Sequence, residues 1–265
     1  MKRVSICLAL TALLLTTANA GASIILNSLA PVSENFDGLI GTGTAALSAT
    51  IGVQSPIGLG WEGAKNSGTG ASAMQLIANN GAGTSGALYS YGATSDPERA
   101  LGALGSGSNA ATFGVEIVNN SGVAITSIFI SATAEFWRSS TSASATPNTL
   151  TFGWGLSGGS ATSLNYLMDL GAANALVGLD VVGPAPVVTN GLLDGNLPAN
   201  QAAIAGMILT TLNPGSSLFI RWTDVNDQGN DAGLSIDNLN IEVTPEPSTL
   251  ALLGLGAVAL LRRRK

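Results

Sequence analysis

The feature that most constrains the fold is the alternation of apolar and polar side chains in several stretches of the chain. Phe113, Val115 and Ile117, for example, alternate with a glycine and a glutamate, and similar alternation occurs at 128–136, 150–156, 218–222 and 239–243. A period of two gives a β-strand one apolar face, which has to be buried. No segment before residue 245 has a convincing 3.6-residue period, and 200–209, the nearest to one, is interpreted as a loop followed by a strand. We therefore predict an all-β fold.

The segment 21–244 is predicted to form a single β-sandwich. Between residues 21 and 247 lie 32 of the 34 glycines, which indicates short strands joined by many turns. The turn sequence Asn-Asn-Ser-Gly at 119–122 separates two alternating stretches and predicts a β-hairpin. Two stretches without alternation, 138–147 and 178–200, are predicted to be long loops, where a specific function would be located.

Residues 1–20 have the organisation of a secretory signal peptide, which would form an N-terminal helix. Lys2 and Arg3 precede an apolar run from 4 to 15, and Ala-Asn-Ala at 18–20 provides the small residues that signal peptidase requires. The one cysteine, Cys7, lies inside this segment, so the chain after residue 20 has none. The exported protein is therefore expected to be stabilised by packing, hydrogen bonds or a metal ion rather than by disulfides.

The C-terminal segment 245–265 combines a proline motif, a short apolar stretch and a basic end. It contains, in this order, Pro245, Glu246, Pro247, an apolar stretch, Arg262, Arg263, Arg264 and Lys265. The fourteen residues 248–261 would span roughly 21 Å as a helix, less than the ~30 Å of a bilayer core. Because basic residues stay on the cytoplasmic side, an exported chain would stop with this helix in the membrane and its body outside.

These features resemble the PEP-CTERM sorting signal. The resemblance implies a Gram-negative bacterium in which a membrane transpeptidase, exosortase, recognises the tail and removes it. It also implies a transient anchor in the inner membrane, followed by delivery to the cell surface or the exopolysaccharide matrix. The alternative is a plain membrane anchor, and the two differ only in whether the tail is retained. Signal peptidase and exosortase are the expected partners during export.

Composition excludes several classes of function. The chain has no histidine, which excludes Ser-His-Asp and Cys-His catalysis and histidine-ligated metals. Four basic and sixteen acidic residues give the segment 21–247 a net charge of −12, which argues against a nucleic-acid partner. Paired carboxylates hydrolyse glycosides only when a cleft holds them at defined separations, and sequence spacing gives no sign of this. We therefore expect a protein that is not an enzyme.

Six motifs of the body resemble a recurrent secreted bacterial β-sandwich, which is in turn similar to jelly-roll carbohydrate-binding modules and MAM-like domains. Such domains open with an Asn-Phe-acid sequence, here within 34–37, and close with an Ile-Asp-Asp type of strand, here at 236–238. The resemblance implies the fold and assigns no chemistry to the body. The motifs lie at 89–92, 98–102, 135–138, 193–196, 219–224 and 233–238.

Acidic and amide residues cluster near the C-terminal end of the body. Asp224 and Asp237 bound a glycine-punctuated stretch with further aspartates and asparagines, and calcium prefers six to eight such oxygen ligands. The spacing is not that of an EF-hand, because position twelve from Asp224 is a serine. Asp237 is separated from Leu239 and Ile241 by an even number of positions, so in a regular strand all three side chains lie on the same face. Asp237 is therefore expected to point toward the core, where a carboxylate needs a partner.

The resemblance to jelly-roll modules implies a structural calcium ion that joins the first and last strands. Such an ion would bring Glu34 or Asp37 to Asp237. One hypothesis is therefore a structural calcium held by Glu34, Asp37, Asp224 and Asp237. The alternative is a polar turn whose carboxylates are satisfied by backbone N–H groups or by Arg221.

Carbohydrate binding is the alternative function, because aromatic faces stack on sugar rings and a matrix protein meets extracellular polysaccharide. Trp154 and Trp222 share the apolar parity of their strands and are expected in the core. Trp137 lies on a more polar face and is the candidate ligand-binding residue. The other interpretation of Trp137 is packing beneath the loop at 138–147, with Glu135 or Arg138 in a structural ion pair.

Overall fold

The structure, a computed structural model, describes residues 23–46, 60–66, 75–107, 110–141, 146–156, 174–224 and 226–246. The predicted signal peptide and the apolar and basic parts of the tail lie outside these residues. Within them the chain is all-β, as predicted, and has no α-helix, only the 3₁₀ turns Val177–Leu179 and Pro198–Asn200. The fifteen strands of the described residues are β1 (Ser23–Leu26), β2 (Val32–Glu34), β3 (Thr44–Ala46), β4 (Trp61–Asn66), β5 (Gln75–Asn79), β6 (Ala87–Tyr91), β7 (Ala100–Leu104), β8 (Ala110–Asn119), β9 (Ile125–Arg138), β10 (Thr149–Leu156), β11 (Asn174–Ala175), β12 (Val181–Val182), β13 (Gln201–Leu212), β14 (Ser217–Asp224) and β15 (Gly233–Pro245).

The strands form two sheets, which is the arrangement expected of a β-sandwich. The first sheet has the order β1-β8-β14-β10-β11, with β4 following β1 along the same edge of β8 and β12 pairing with β10. The second sheet has the order β13-β9-β15-β7-β6-β5-β3, and β2 pairs with β15 beyond the end of β7. The paired strands are antiparallel, except that β1 is parallel to β8 and β5 is parallel to β6.

The inner faces of the two sheets share one hydrophobic core. The alternating residues of β8 and β14 face those of β9 and β15, and these side chains are buried. An aromatic cluster lies in this core around Trp222, whose ring centroid is 6.1 Å from that of Trp61, 6.0 Å from Phe113 and 4.9 Å from Phe152. The prediction of a core position is confirmed for Trp222, whereas Trp154 is only partly buried and packs against the same core.

The predicted β-hairpin around residues 119–122 is wrong. The turn itself is present, and the Asn119 side-chain amide donates hydrogen bonds to the carbonyl oxygens of Val123 and Leu212, each at 2.8 Å. The strands on either side, however, pair in different sheets: β8 with β14 in the first, and β9 with β13 and β15 in the second. Alternation shows that a strand has one apolar face, but it does not distinguish a hairpin partner from a strand across the core.

The second sheet also buries side chains on its outer face. The rings of Tyr89, Tyr91 and Trp137 form a stack there, with centroid separations of 5.1 Å and 5.8 Å. The segment 178–200, predicted to be a loop, is mostly irregular, although Val181–Val182 forms β12 of the first sheet. Its part at 191–196 covers the stack: the Leu193 N–H donates to the Trp137 carbonyl oxygen at 2.8 Å, and Gly195 packs against the Trp137 ring. This covering segment brings polar side chains next to β9.

Candidate functional site

A cleft with acidic walls opens on the outer face of the second sheet, beside the stacked aromatic rings. Its volume is about 390 Å³. Five of its nine lining residues are acidic and none of the nine is basic. The lining residues are Asn35, Asp37, Asp96, Glu98, Glu135, Asn196, Gln201, Asp237 and Asn238.

A β-bulge in β15 turns Asp237 into this cleft. The ladder between β15 and β9 is regular from Leu234 to Asp237 and resumes only at Asn240, with one extra residue on β15. Asn238 has a φ of 49°, in the left-handed region that asparagine tolerates better than most residues. The bulge displaces the alternation of inward- and outward-facing side chains by one residue. Ile236 and Leu239 therefore both belong to the core, while Asp237 faces outward. The prediction that Asp237 points toward the core is wrong, since it extrapolated the alternation across a bulge.

Glu135 on β9 is the most deeply buried carboxyl group of the cleft. Its side chain is 1% exposed, and its carboxylate accepts hydrogen bonds from Trp137 Nε1 at 3.1 Å and Gln201 Nε2 at 3.0 Å. Burial, followed by the charges of Glu98 and Asp237, raises the pKa of Glu135 from 4.5 to about 8, although the two hydrogen bonds act in the opposite direction. The group therefore holds a proton more tightly than an ordinary glutamate does.

Glu98 reaches the cleft from the segment that precedes β7. Its backbone N–H donates to Asp96 Oδ1 at 3.1 Å, which fixes the local turn. The guanidinium of the next residue, Arg99, is engaged on β6, where its Nε donates to Ser90 Oγ at 3.0 Å. Burial raises the pKa of Glu98, and a hydrogen bond from Asn196 only partly opposes this effect.

Glu98, Glu135 and Asp237 form one cluster. One carboxylate oxygen from each lies within 4.8 Å of the other two. Burial is the main cause that raises the pKa of Asp237 from 3.8 to about 7. Three oxygens of the cleft are buried and accept no hydrogen bond within the described part of the chain: Glu98 Oε2, Asp237 Oδ1 and Asn196 Oδ1. The cluster is thus rich in acceptors and poor in donors.

The structure assembles only part of the set of residues predicted to hold calcium. Asp37 and Asp237 both line the cleft, as the resemblance to jelly-roll modules implied. Glu34 instead lines a neighbouring depression, and Asp224 lies at the end of β14 in the first sheet and does not line the cleft. These four residues therefore do not fit a single ion.

Sequence reasoning missed Glu98 and Glu135 as members of the site. Both lie in motifs that carried the resemblance, at 98–102 and 135–138, so their presence there was the available signal. Glu98 lies in the segment before β7 and Glu135 lies on β9, and only the order of β9, β15 and β7 in the second sheet brings them to Asp237. Alternation within one strand carries no information about that order.

Trp137 presents no accessible ring to a ligand. It is 1% exposed, its ring stacks on Tyr91 at an interplanar angle of 4°, and its indole N–H donates to Glu135. Gly195, in the covering segment, packs directly against the indole ring. Trp137 is therefore packed beneath a loop, but that loop is the covering segment around Leu193 and Gly195 rather than the predicted loop at 138–147, and Glu135 accepts a hydrogen bond instead of forming an ion pair.

Alanine at position 195 should destabilise this covering segment. A Cβ on Gly195 would lie 2.3 Å from Trp137 Cε2, so the ring or the segment has to move. We expect a loss of about 1–3 kcal/mol in the free energy of unfolding, measured by urea denaturation. Gly191→Ala is the matched control in the same segment, since a Cβ there meets no atom within 4 Å. Equal losses in the two variants would contradict the role given to this contact.

The predicted sorting residues begin inside the last strand. Pro245 is the final residue of β15, and the Glu246 N–H donates to the Ala124 carbonyl oxygen at 2.9 Å. The start of the motif is therefore held by the second sheet. The remaining sorting residues lie outside the described residues: Pro247, Arg262, Arg263 and Arg264.

The predicted membrane helix at 248–261 also lies outside the described residues. Among the residues that the structure does describe, there is no helix with the length and apolar character needed to cross a membrane.

Comparison with known families identifies the C-terminal signal. Residues 243–265 match the PEP-CTERM protein-sorting motif, which confirms the resemblance seen at 245–265. The chain thus carries a PEP-CTERM sorting signal after a body whose described residues are all-β, and this signal marks it for export and sorting. A comparison with curated proteins gives no match.

Several solved structures are similar to this chain at low sequence identity. The CBM22-1 xylan-binding domain of Paenibacillus barcinonensis Xyn10C is 12% identical, with 83% of this chain and 98% of that one covered at a TM-score of 0.35. The K3 adhesin domain of Lys-gingipain from Porphyromonas gingivalis is 12% identical, with coverages of 80% and 98% and a TM-score of 0.37. The xylan-binding module CBM15 is 11% identical, with coverages of 77% and 99% and a TM-score of 0.34. Because these TM-scores are low, the fold is described from the two sheets of this structure and not from these similarities.

Proposed function

We propose that this chain is a non-enzymatic protein of the cell surface or exopolysaccharide matrix of a Gram-negative bacterium, sorted by exosortase. The N-terminal signal peptide directs export, and the segment 248–261 anchors the chain transiently in the inner membrane. Exosortase then recognises the Pro-Glu-Pro tail and cleaves it. The observation that carries this proposal is the match of residues 243–265 to the PEP-CTERM motif, directly after an all-β body.

The junction between body and tail supports processing at the membrane surface. Glu246 is still hydrogen bonded to Ala124 of the body, and only residues 247–249 separate it from the apolar stretch that begins at Leu250. Three residues span at most about 11 Å, so an anchored body would lie close to the bilayer. A processing enzyme that is itself embedded in the membrane suits this arrangement.

Composition and burial support a role without catalysis. Because the chain has no histidine, and no cysteine after residue 20, acid–base chemistry in the exported protein would depend on its carboxyl groups. Glu135 and Asp237, whose pKa values are raised to about 8 and about 7, are both buried. Hydrolase assays on bacterial polysaccharides are expected to show no activity above that of buffer. Carbohydrate binding stays a prediction, and a glycan array tests it.

Tail removal should depend on exosortase. In a host that carries the enzyme, mass spectrometry of the exported protein is expected to find a form without Arg262 and the residues that follow. In an exosortase deletion strain, the same chain should keep its tail and stay in the membrane fraction. An intact C-terminus in both strains would contradict the proposal and would favour a plain anchor.

A pair of matched variants tests recognition of the motif. Glu246→Ala removes an acidic residue from the Pro-Glu-Pro sequence, and most of this variant is expected to remain unprocessed. Glu242→Ala removes the same charge from an exposed position just outside residues 243–265, and it should be processed as the wild type is. Equal processing of the two variants would show that this glutamate is not recognised.

A further inference from the structure

We infer that the acidic cleft on the outer face of the second sheet is a binding site for a calcium ion, held by Glu98, Glu135 and Asp237. This inference goes beyond the proposed function and does not depend on it. It differs from the calcium hypothesis drawn from the sequence, because Glu34 and Asp224 take no part and two residues from other segments replace them.

The first argument is the balance of charge inside the cleft. Three carboxyl groups meet within 4.8 Å, and Asp37 and Asp96 add two more at the lining. None of the nine lining residues is basic, and the guanidinium of Arg99 is engaged on β6. Like charges at this separation repel strongly when they are removed from water. A bound cation is the partner that this arrangement lacks.

The second argument is the set of buried oxygens without a donor. Glu98 Oε2, Asp237 Oδ1 and Asn196 Oδ1 accept no hydrogen bond within the described residues, and Asp237 is only 3% exposed. A buried acceptor without a partner destabilises the folded state. One ion between the carboxylate oxygens of Glu98, Glu135 and Asp237, which lie within 4.8 Å of one another, would give this cluster a shared partner, whereas each hydrogen bond would satisfy only one oxygen.

The geometry and the chemistry of the donors favour calcium. Calcium lies 2.3–2.6 Å from its ligands, so ligand oxygens on opposite sides of one ion are about 4.6–5.2 Å apart. The carboxylate oxygens of the cluster lie within 4.8 Å of one another, so none is farther from another than two ligands of one calcium ion can be. All donors are carboxylate or amide oxygens, which suit hard cations. The cleft, at about 390 Å³, has room for the water molecules that complete the six to eight ligands of calcium.

The ion would connect segments that are far apart in the sequence. Its ligands come from the segment before β7, from β9 and from the bulge in β15, with Asn196 from the covering segment beside them. Such an ion holds together segments that long stretches of chain separate, as a disulfide would, although it forms no covalent bond. In an exported chain without cysteine, calcium would supply this cross-link in place of a disulfide.

Calcium is expected to raise the melting temperature of the full chain at pH 8. Relative to EDTA, we expect a rise of about 5–10 °C when the free calcium concentration is roughly 100 times the dissociation constant. Isothermal titration calorimetry with calcium chloride should give one ion per chain. No binding and no change in melting temperature at millimolar calcium would overturn the inference. An equal rise with magnesium chloride at the same concentration would overturn the assignment to calcium.

Two variants with the same change in charge locate the ion. Glu98→Gln keeps the shape of the side chain and should weaken calcium binding at least about tenfold, because one carboxylate ligand is lost. Glu242→Gln removes a charge from an exposed position on β15 and should bind calcium as the wild type does. If Glu98→Gln retains the full calcium effect, the ion is not in this cleft and the inference fails. Tail processing is read from the mass of the C-terminus, so this result leaves the proposed function untouched.

Discussion

Replacing Trp222 with alanine should lower the free energy of unfolding by about 3–5 kcal/mol. The indole is completely buried in the core and contacts the rings of Trp61, Phe113 and Phe152. Its Nε1 also donates to the Leu179 carbonyl oxygen at 2.8 Å, and the variant would leave that oxygen without its donor. The cavity and the unpaired carbonyl oxygen both lower the free energy of unfolding.

Urea denaturation of the variant measures this loss, and the neighbouring strand offers a control. Trp154→Ala removes the same side chain from β10, where the ring is only partly buried, so its loss should be clearly smaller. Trp222→Phe keeps an aromatic ring in the core and should recover part of the stability. Equal losses for Trp222→Ala and Trp154→Ala would contradict the central place given to Trp222.

Raising the pH from 5 to 8 in EDTA should destabilise the metal-free chain by roughly 2–4 kcal/mol. In the folded state the pKa of Glu135 is raised to about 8 and that of Asp237 to about 7. A carboxyl group with a raised folded-state pKa binds its proton more tightly in the folded chain than in the unfolded chain. Its stabilising effect is therefore present at low pH and is lost as the pH rises through the folded-state pKa. The shifts are coupled through one cluster and do not add in full.

Melting curves at constant ionic strength between pH 5 and pH 8 measure this dependence. The charges around the two groups are those of Asp37, Asp96, Glu98 and Arg99. Glu135→Gln should flatten the curve without abolishing its slope, because the pKa of Asp231, outside the cleft, is also raised, to about 6. A melting temperature that is constant or increases over this range would contradict the prediction.

The strands themselves could be predicted from the sequence, because alternation reflects a property of single strands. The buried positions of β8, β14 and β9 follow from the period of two. The pairing of those strands could not be predicted, and the supposed hairpin across residues 119–122 connects two sheets instead. A turn sequence fixes the local change of direction, whereas the choice of sheet depends on which apolar faces meet across the core.

The candidate site was predictable only in part, for a related reason. Asp237 could be predicted as a site residue because it is acidic and lies next to a stretch, 239–243, in which apolar and polar residues clearly alternate. Its direction could not be deduced, since the bulge at Asn238 reverses the parity and has no signature in a single sequence. Glu98 and Glu135 join Asp237 through strand order, which is a property of the whole sheet.

The position of β15 determines how the body would respond to a pulling force. This strand has thirteen residues, pairs with β9 along one edge and with β7 and β2 along the other, and ends where the tail begins. A pulling force applied to the chain beyond Pro245 would enter the body along this strand. Tension in that direction loads the cross-strand hydrogen bonds together in shear, whereas tension at an edge strand would separate them one after another. The body therefore ends in a strand that both of its neighbours hold against sliding.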